Sequence, residues 1–191
     1  GENYAKVVLK DHDNDLMSIC GKIIALMREH GVSPENVAID DVGVGGGVVD
    51  RLREQGYNVV AVKEGAKATE MDEYIDEHGE KKERIAYVNF KAQLYAGKNG
   101  LANWLKRTGM LEPHEGWTEL TRIRFKKASN GATKLESKDD MRKRGEESPD
   151  VADALMLTFA PVVAVQKEFK PVDPSIILRR QGGDGIGFGR L

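Results

Sequence analysis

A chain of 191 residues, 40% hydrophobic and 31% charged, has the make-up of one α/β domain with a true core and is too short for two comfortable ones. Its single cysteine, Cys20, excludes an internal disulfide framework and a cysteine-based zinc site, and no apolar run approaches the roughly 20 residues that cross a bilayer. The net charge of −2 argues against a uniformly basic nucleic-acid coat, so the charges have to be read by position.

In chain order, "YAKVVL" (Tyr4–Leu9) predicts a strand. "DLMSICGKIIALMREHG" predicts a helix, with Leu16, Ile19, Cys20, Ile23 and Met27 on one face and Gly31 as its stop. "VAID" (Val37–Asp40) is a second strand and Val49–Gln55 a second helix after the glycines. "NVVAV" (Asn58–Val62) is a third strand, which gives a β-α-β-α-β order and parallel pairing. Lys63–Arg84 is polar without periodicity and reads as an exposed, irregular excursion. Helical patterns return over Tyr87–Ala96 and Leu101–Lys106. "ELTRIRFKKASNGATKLES" alternates on either side of Asn130-Gly131, a strong hairpin signal with a two-residue turn. A short helix started by Ser137 follows. The last helix opens at "SPDVADAL", with Ser148 as N-cap and Pro149 at the first helical position. Past Pro161 the prolines and glycines predict an extended or disordered tail, so the division is 1–161 for the domain and 162–191 for the tail.

Three acids stand where chemistry is expected. Asp40 closes a buried strand at its carboxyl end, the edge where open α/β sheets place ligands. Asp150 and Asp153 lie three apart in the first turn of the last helix, on one face. An acid on a central strand and an acid on a late helix suit a two-metal phosphodiesterase site, and oxygen-only ligands suit Mg²⁺ or Mn²⁺. The bland alternatives are a helix-dipole partner for Asp150 and a turn cap for Asp40. A dinucleotide-binding turn is the rival for the Gly-rich stretch, with Gly43, Gly45 and, past the next strand, Glu64 in the ribose position. The third glycine of that fingerprint is missing, because Val48 stands there. No Walker motif occurs, so nothing in the chain predicts an ATPase.

Three blocks together resemble the nuclease domain of the large terminase subunit, the DNA-packaging motor protein of tailed phages: "IDDVGVGGGVVDRLREQGYNV", "YVNFKAQLY" and "LESKDDMRKRGEESPDVADALMLTFA". The resemblance implies an RNase H/resolvase-like fold, a mixed sheet flanked by helices with a β-hairpin excursion. It implies a metal-dependent endodeoxyribonuclease that cuts concatemeric genomes with low sequence specificity. Asp40 matches the acid of the second catalytic strand; Asp150, the preferred residue, and Asp153 match the acid of the final helix. The family's first catalytic aspartate belongs on a strand ahead of "GENYAKVVL". None of Glu2, Asp11, Asp13 or Asp15 stands in its place, so that ligand is expected outside these residues or missing. A return strand expected after "KDHDN" is also absent.

The same resemblance implies double-stranded DNA, a packaging ATPase domain, the portal protein and the small terminase subunit as partners, in the host cytoplasm and with no membrane. It also gives meaning to a local excess of positive charge. Between Arg122 and Arg144 nine Lys/Arg face three acids. Arg124, Lys126, Lys127 and Lys134 on the hairpin, with Lys138, Arg142, Lys143 and Arg144 on the helix after it, would hold DNA phosphates without reading sequence. Lys138 is also expected close to the metal site. A domain that grips DNA or the motor without cutting is the alternative function, and a dinucleotide-binding fragment the more distant one.

Overall fold

The computed structural model describes residues 4–160; the tail expected over 162–191 lies outside them. The fold is mixed α/β. Its strands form four two-stranded ladders among the described residues, not the one mixed sheet the resemblance implies.

Strand β1 is only Tyr4–Ala5. It pairs in parallel with β6 (Met110–Leu111) and not with the next strand in sequence. Val8 and Leu9, expected to continue it, are half exposed. Helix α1 (Leu16–His30) is as its sequence predicts: the Asp15 side chain accepts from the Ser18 amide, and Gly31 ends it in the left-handed region at φ 62°. Strands β2 (Ala38–Asp40) and β3 (Val60–Val62) pair in parallel, with Asp40 opposite Val62. The Asp41 amide donates to the Val62 carbonyl at 2.8 Å, which pins the backbone just past Asp40.

Helix α2 (Val44–Glu54) crosses between β2 and β3. It starts five residues earlier than the sequence reading placed it, with Gly45, Gly46 and Gly47 inside its first turns. Each glycine costs about 1 kcal/mol of helix propensity, and close packing explains their use. A Cβ on Gly45 would overlap the Asp40 carbonyl, and one on Gly47 would come within 2.7 Å of Leu16 Cδ1. The helix therefore begins directly beneath the end of β2.

The two faces of the β2–β3 ladder are covered differently. Ile39 and Ala61 join Val59, α1 and α2 around Cys20, Val48, Val49 and Leu52. Ala38, Val60 and Val62 face the other cluster, built on Leu94 and Tyr95 of α3 (Phe90–Ala96), Leu101 of α4 (Leu101–Arg107) and Leu155 and Met156 of α7 (Asp150–Leu157). With side chains alternating along a strand, Asp40 shares the face of Ala38 and is carried to the α3/α7 side.

The polar excursion is a regular hairpin, β4 (Met71–Ile75) against β5 (Lys81–Ile85). It is mostly exposed, as expected, but not irregular. Asp76 Oδ1 accepts from the His78 and Glu80 amides, both at 2.9 Å, and Gly79 takes φ 79°. The second hairpin is shorter than its alternation suggests. Glu119–Arg122 forms helix α5 instead, and only β7 (Phe125–Lys127) and β8 (Thr133–Leu135) pair. Its turn is a three-residue loop: the Gly131 amide donates to the Ala128 carbonyl at 2.8 Å and Gly131 alone among the turn residues is a positive-φ glycine, at 77°. Ser137 caps α6 (Lys138–Lys143) as its sequence predicts. The start of α7 differs: Pro149, not Ser148, is the capping residue and offers no side-chain bond. Glu119 replaces it, its Oε2 accepting from the Val151 and Ala152 amides at 2.7 and 3.0 Å.

Candidate functional site

The face of β2–β3 that carries Asp40 meets the first turns of α3 and α7. Two residues past Val62, Glu64 stands in the turn after β3; its carbonyl accepts from the Lys91 amide at 2.9 Å. This fixes the start of α3 beside the strand ends. The Lys91 ammonium bridges two carboxylates, donating to Glu64 Oε2 at 2.9 Å and Asp153 Oδ2 at 2.7 Å. Tyr95, one turn on in α3, donates its hydroxyl to the other Asp153 oxygen at 2.8 Å. Lys138, at the start of α6, stands 4.0 Å from Asp153 Oδ2. Asp40 completes the group from the strand side, and its Oδ1 is buried with no hydrogen-bond partner.

Electrostatics bind these residues into one site. Burial pushes the Asp40 carboxyl up, the carboxylates of Asp153 and Asp41 add to the rise, and the ammonium groups of Lys91 and Lys138 oppose it. Glu64 is raised too, chiefly by burial, against the pull of Lys91. For Lys91 burial works downward, but Asp153 and Glu64 outweigh it and hold the ammonium above its ordinary range. The Tyr95 phenol is raised far by burial and by Asp153, so it stays a proton donor to that carboxylate.

The residues singled out from the sequence divide. Asp40 and Asp153 come together. Asp150 does not join them: it is exposed and lines a different groove of about 750 Å³, with Tyr4, Leu9, Trp104, Trp117 and Phe159. Three residues of separation place two side chains on one broad helix face, yet the first looks outward and the second into the core. Lys138 lies at the site as expected. Lys91 and Tyr95 went unread, although both lie in "YVNFKAQLY"; a charged residue inside an otherwise buried helical pattern was the available signal. In the sequence Glu64 stands out only through the dinucleotide alternative. Its carboxylate is committed to Lys91, and of the two glycines that alternative needs Gly45 is taken up by packing under β2, while Gly43 serves the turn before α2 with φ 62°.

The basic residues divide as well. Lys126 and Lys134 are direct cross-strand partners. Lys126 is balanced by Glu136 at 3.7 Å and Asp140 at 3.5 Å. Arg124 and Lys134 are exposed and make no ion pair among the described residues. Lys127 donates to the Thr133 hydroxyl at 2.9 Å. Arg142 and Lys143 pair with Asp139 and Asp140 on their own helix. Arg144 is a latch: it binds Glu136 at 2.6 Å and the Arg122 carbonyl at 3.0 Å, tying α6 to the hairpin base. A small cavity of about 30 Å³ lined by Lys91, Arg124, Lys138 and Asp153 joins the acidic group to this basic surface.

Oxygen-only donors and an unpartnered buried carboxylate oxygen fit a hard divalent cation. Among the described residues no three His, Cys, Asp or Glu side chains converge as they stand on one ion.

The mixed α/β core has the fold of a terminase-type nuclease domain. The chain is similar to a solved structure of the nuclease domain of the large terminase subunit gp2 of bacterial virus Sf6, determined as a lysine-to-alanine variant with manganese and β-thujaplicinol. The TM-score is 0.51 at 22% identity, over 80% of this chain and 74% of that one. At that identity the likeness establishes the fold, and it agrees with the resemblance seen in the sequence blocks. No protein-family model matches the chain and no curated protein matches its sequence. No helix among the described residues is long and apolar enough to cross a membrane.

Proposed function

We propose that the chain is the metal-dependent DNA endonuclease domain of a phage packaging terminase, with Asp40 and Asp153 as metal ligands and Asp150 outside the site. The observation that carries this reading is the buried, unpartnered Asp40 oxygen beside Asp153. A structural acid would have found a donor, since an unpaired buried polar atom costs about 1–3 kcal/mol. The solved counterpart, crystallised with manganese, supports the same choice of ion class. The RNase H-like arrangement of a single mixed sheet and the use of two Mg²⁺ or Mn²⁺ ions belong to this proposal.

Asp40 and Asp153 would hold the cation, which when bound supplies Lewis acidity to activate water and to neutralise charge building on the phosphate. Tyr95 orients Asp153 by its hydroxyl, which leaves the carboxylate one fixed direction of approach. Lys138 brings positive charge to the mouth of the site. Lys126 already has Glu136 and Asp140 as counter-charges, whereas the exposed Arg124 and Lys134 make no ion pair among the described residues; a DNA backbone is the anion proposed for them, held without base reading and hence with low sequence specificity. Portal and small-subunit contacts, and action on concatemers in the host cytoplasm, follow only from the family reading.

Supercoiled plasmid incubated with the protein in Mg²⁺, Mn²⁺ or EDTA tests the proposal. Nicking that needs metal and falls by at least about 10³-fold in Asp40→Ala is expected. Arg124→Gln with Lys134→Gln should weaken gel retardation and lower the salt slope by about 2. Retardation with no cutting in either metal would leave the binding-only alternative as the function.

A further inference from the structure

We propose that Lys91 is a resident counter-cation that keeps the Glu64–Asp153 seat closed in the metal-free chain, and that metal loading displaces its ammonium and recruits Glu64 as a further oxygen ligand beside Asp40 and Asp153. The proposal rests on the metal-site reading above and deepens it.

Position is the first argument. Lys91 is the second residue of α3, where the helix dipole disfavours a cation. Its charge is there because of two carboxylates from two other segments, at 2.9 and 2.7 Å. All three side chains are largely withdrawn from water, at 15% exposure for Lys91, 19% for Glu64 and 12% for Asp153. A pair so placed is not a solvated surface bridge.

Charge balance is the second. Asp40, Glu64 and Asp153 bring three negative charges, while Lys91 and Lys138 bring two positive ones. The deficit coincides with the Asp40 oxygen that has no donor. Exchange of Lys91 for a divalent cation brings the sum to zero and gives that oxygen a partner. It also explains why three carboxylates gathered here do not already converge on one point: an ammonium holds two of them apart from the third. The four-carbon stem of lysine lets the ammonium swing away without moving α3, whose backbone stays tied to Glu64 and Ala66.

Mn²⁺ binding by the whole chain, read from the free-ion EPR signal and from thermal melts, tests the exchange. Lys91→Met is expected to melt below wild type in EDTA, to bind Mn²⁺ about tenfold more tightly, and to show a larger upward melting shift on Mn²⁺ addition. Should Lys91→Met fold poorly, Lys91→Arg gives the opposite test: a forked guanidinium holds both carboxylates more firmly, so Mn²⁺ binding should weaken about tenfold. Glu64→Gln should weaken binding by a similar factor, and Asp40→Asn sets the background from exposed acids. Unchanged or weaker Mn²⁺ binding in Lys91→Met, with equal destabilisation in EDTA and Mn²⁺, would make Lys91 a simple structural clamp and overturn the proposal. Wild type and every variant failing to bind Mn²⁺ would instead overturn the metal-site reading beneath it.

Discussion

The six residues of the β2–β3 ladder divide between two faces of opposite character. Toward α1 and α2 the cluster around Cys20, Val48, Val49, Leu52 and Val59 is apolar throughout. Toward α3 and α7 the apolar cluster is interrupted at the strand ends by Glu64, Lys91, Tyr95 and Asp153, which satisfy one another, and by Asp40, whose Oδ1 has no hydrogen-bond partner. The dry face stabilises; the polar face gives up burial of apolar area to hold charge in a fixed place. Folding of the second depends on the first, because α2 anchors the strand that presents Asp40.

Substitutions on the two faces should therefore separate stability from chemistry. Leu52 is fully buried on the dry face, and Leu52→Ala is expected to cost about 3 kcal/mol and lower Tm by about 10 °C. Cleavage per folded molecule, measured well below the melt, should stay near wild type. A loss of cleavage with Tm unchanged would collapse the distinction between the faces.

Gly45 joins them, since it packs α2 against the Asp40 carbonyl. Gly45→Ala is expected to cost about 2 kcal/mol and also to reduce cleavage by shifting Asp40. Gly21→Ala, in a helix position with open space around it, should instead gain about 0.5 kcal/mol with cleavage unaltered. Melts and plasmid nicking on the two variants read both effects.

Smaller still is the effect of the charge itself in the metal-free chain. Asp40 has a raised pKa in the fold, so ionisation there costs stability above the unfolded carboxylate's pKa, and the cost disappears as pH falls and the group protonates. Asp40→Asn in EDTA should raise Tm at pH 7 by about 2 °C, with the gain shrinking toward pH 4. A gain that grows on acidification would contradict the assigned cause.

Much of this was legible in the sequence, and the exceptions share a cause. Helix α1 announces itself through its apolar face and its stop at Gly31, and the β2–α2–β3 unit follows from short apolar runs around glycines. Asp40 stood out by its place at a strand end. The start of α2 is read late because propensity argues against three glycines in a helix, whereas Gly45 lies too close to the end of β2, and Gly47 too close to Leu16 of α1, for a side chain. The β4–β5 hairpin was missed because both its faces meet water, so no alternation marks it; the Asp76–Gly79 turn was its only local trace. What could not be read was partnership across the chain. Glu119 caps α7 from 32 residues away, and Lys91 meets Asp153 across 62. Local patterning cannot rank Asp150 over Asp153 either, because the helix dipole favours both and only the packing of α7 on Tyr95 decides which turns inward.

That last choice is the most direct test of the whole account. Asp150→Asn and Asp153→Asn, compared side by side for Mn²⁺-dependent nicking of supercoiled plasmid, differ by three residues and by the face they look toward. Asp153→Asn is expected to lose at least about 10³-fold in rate while Asp150→Asn cuts like wild type. Loss of cutting in Asp150→Asn with Asp153→Asn fully active would place the chemistry in the other groove and contradict the site described.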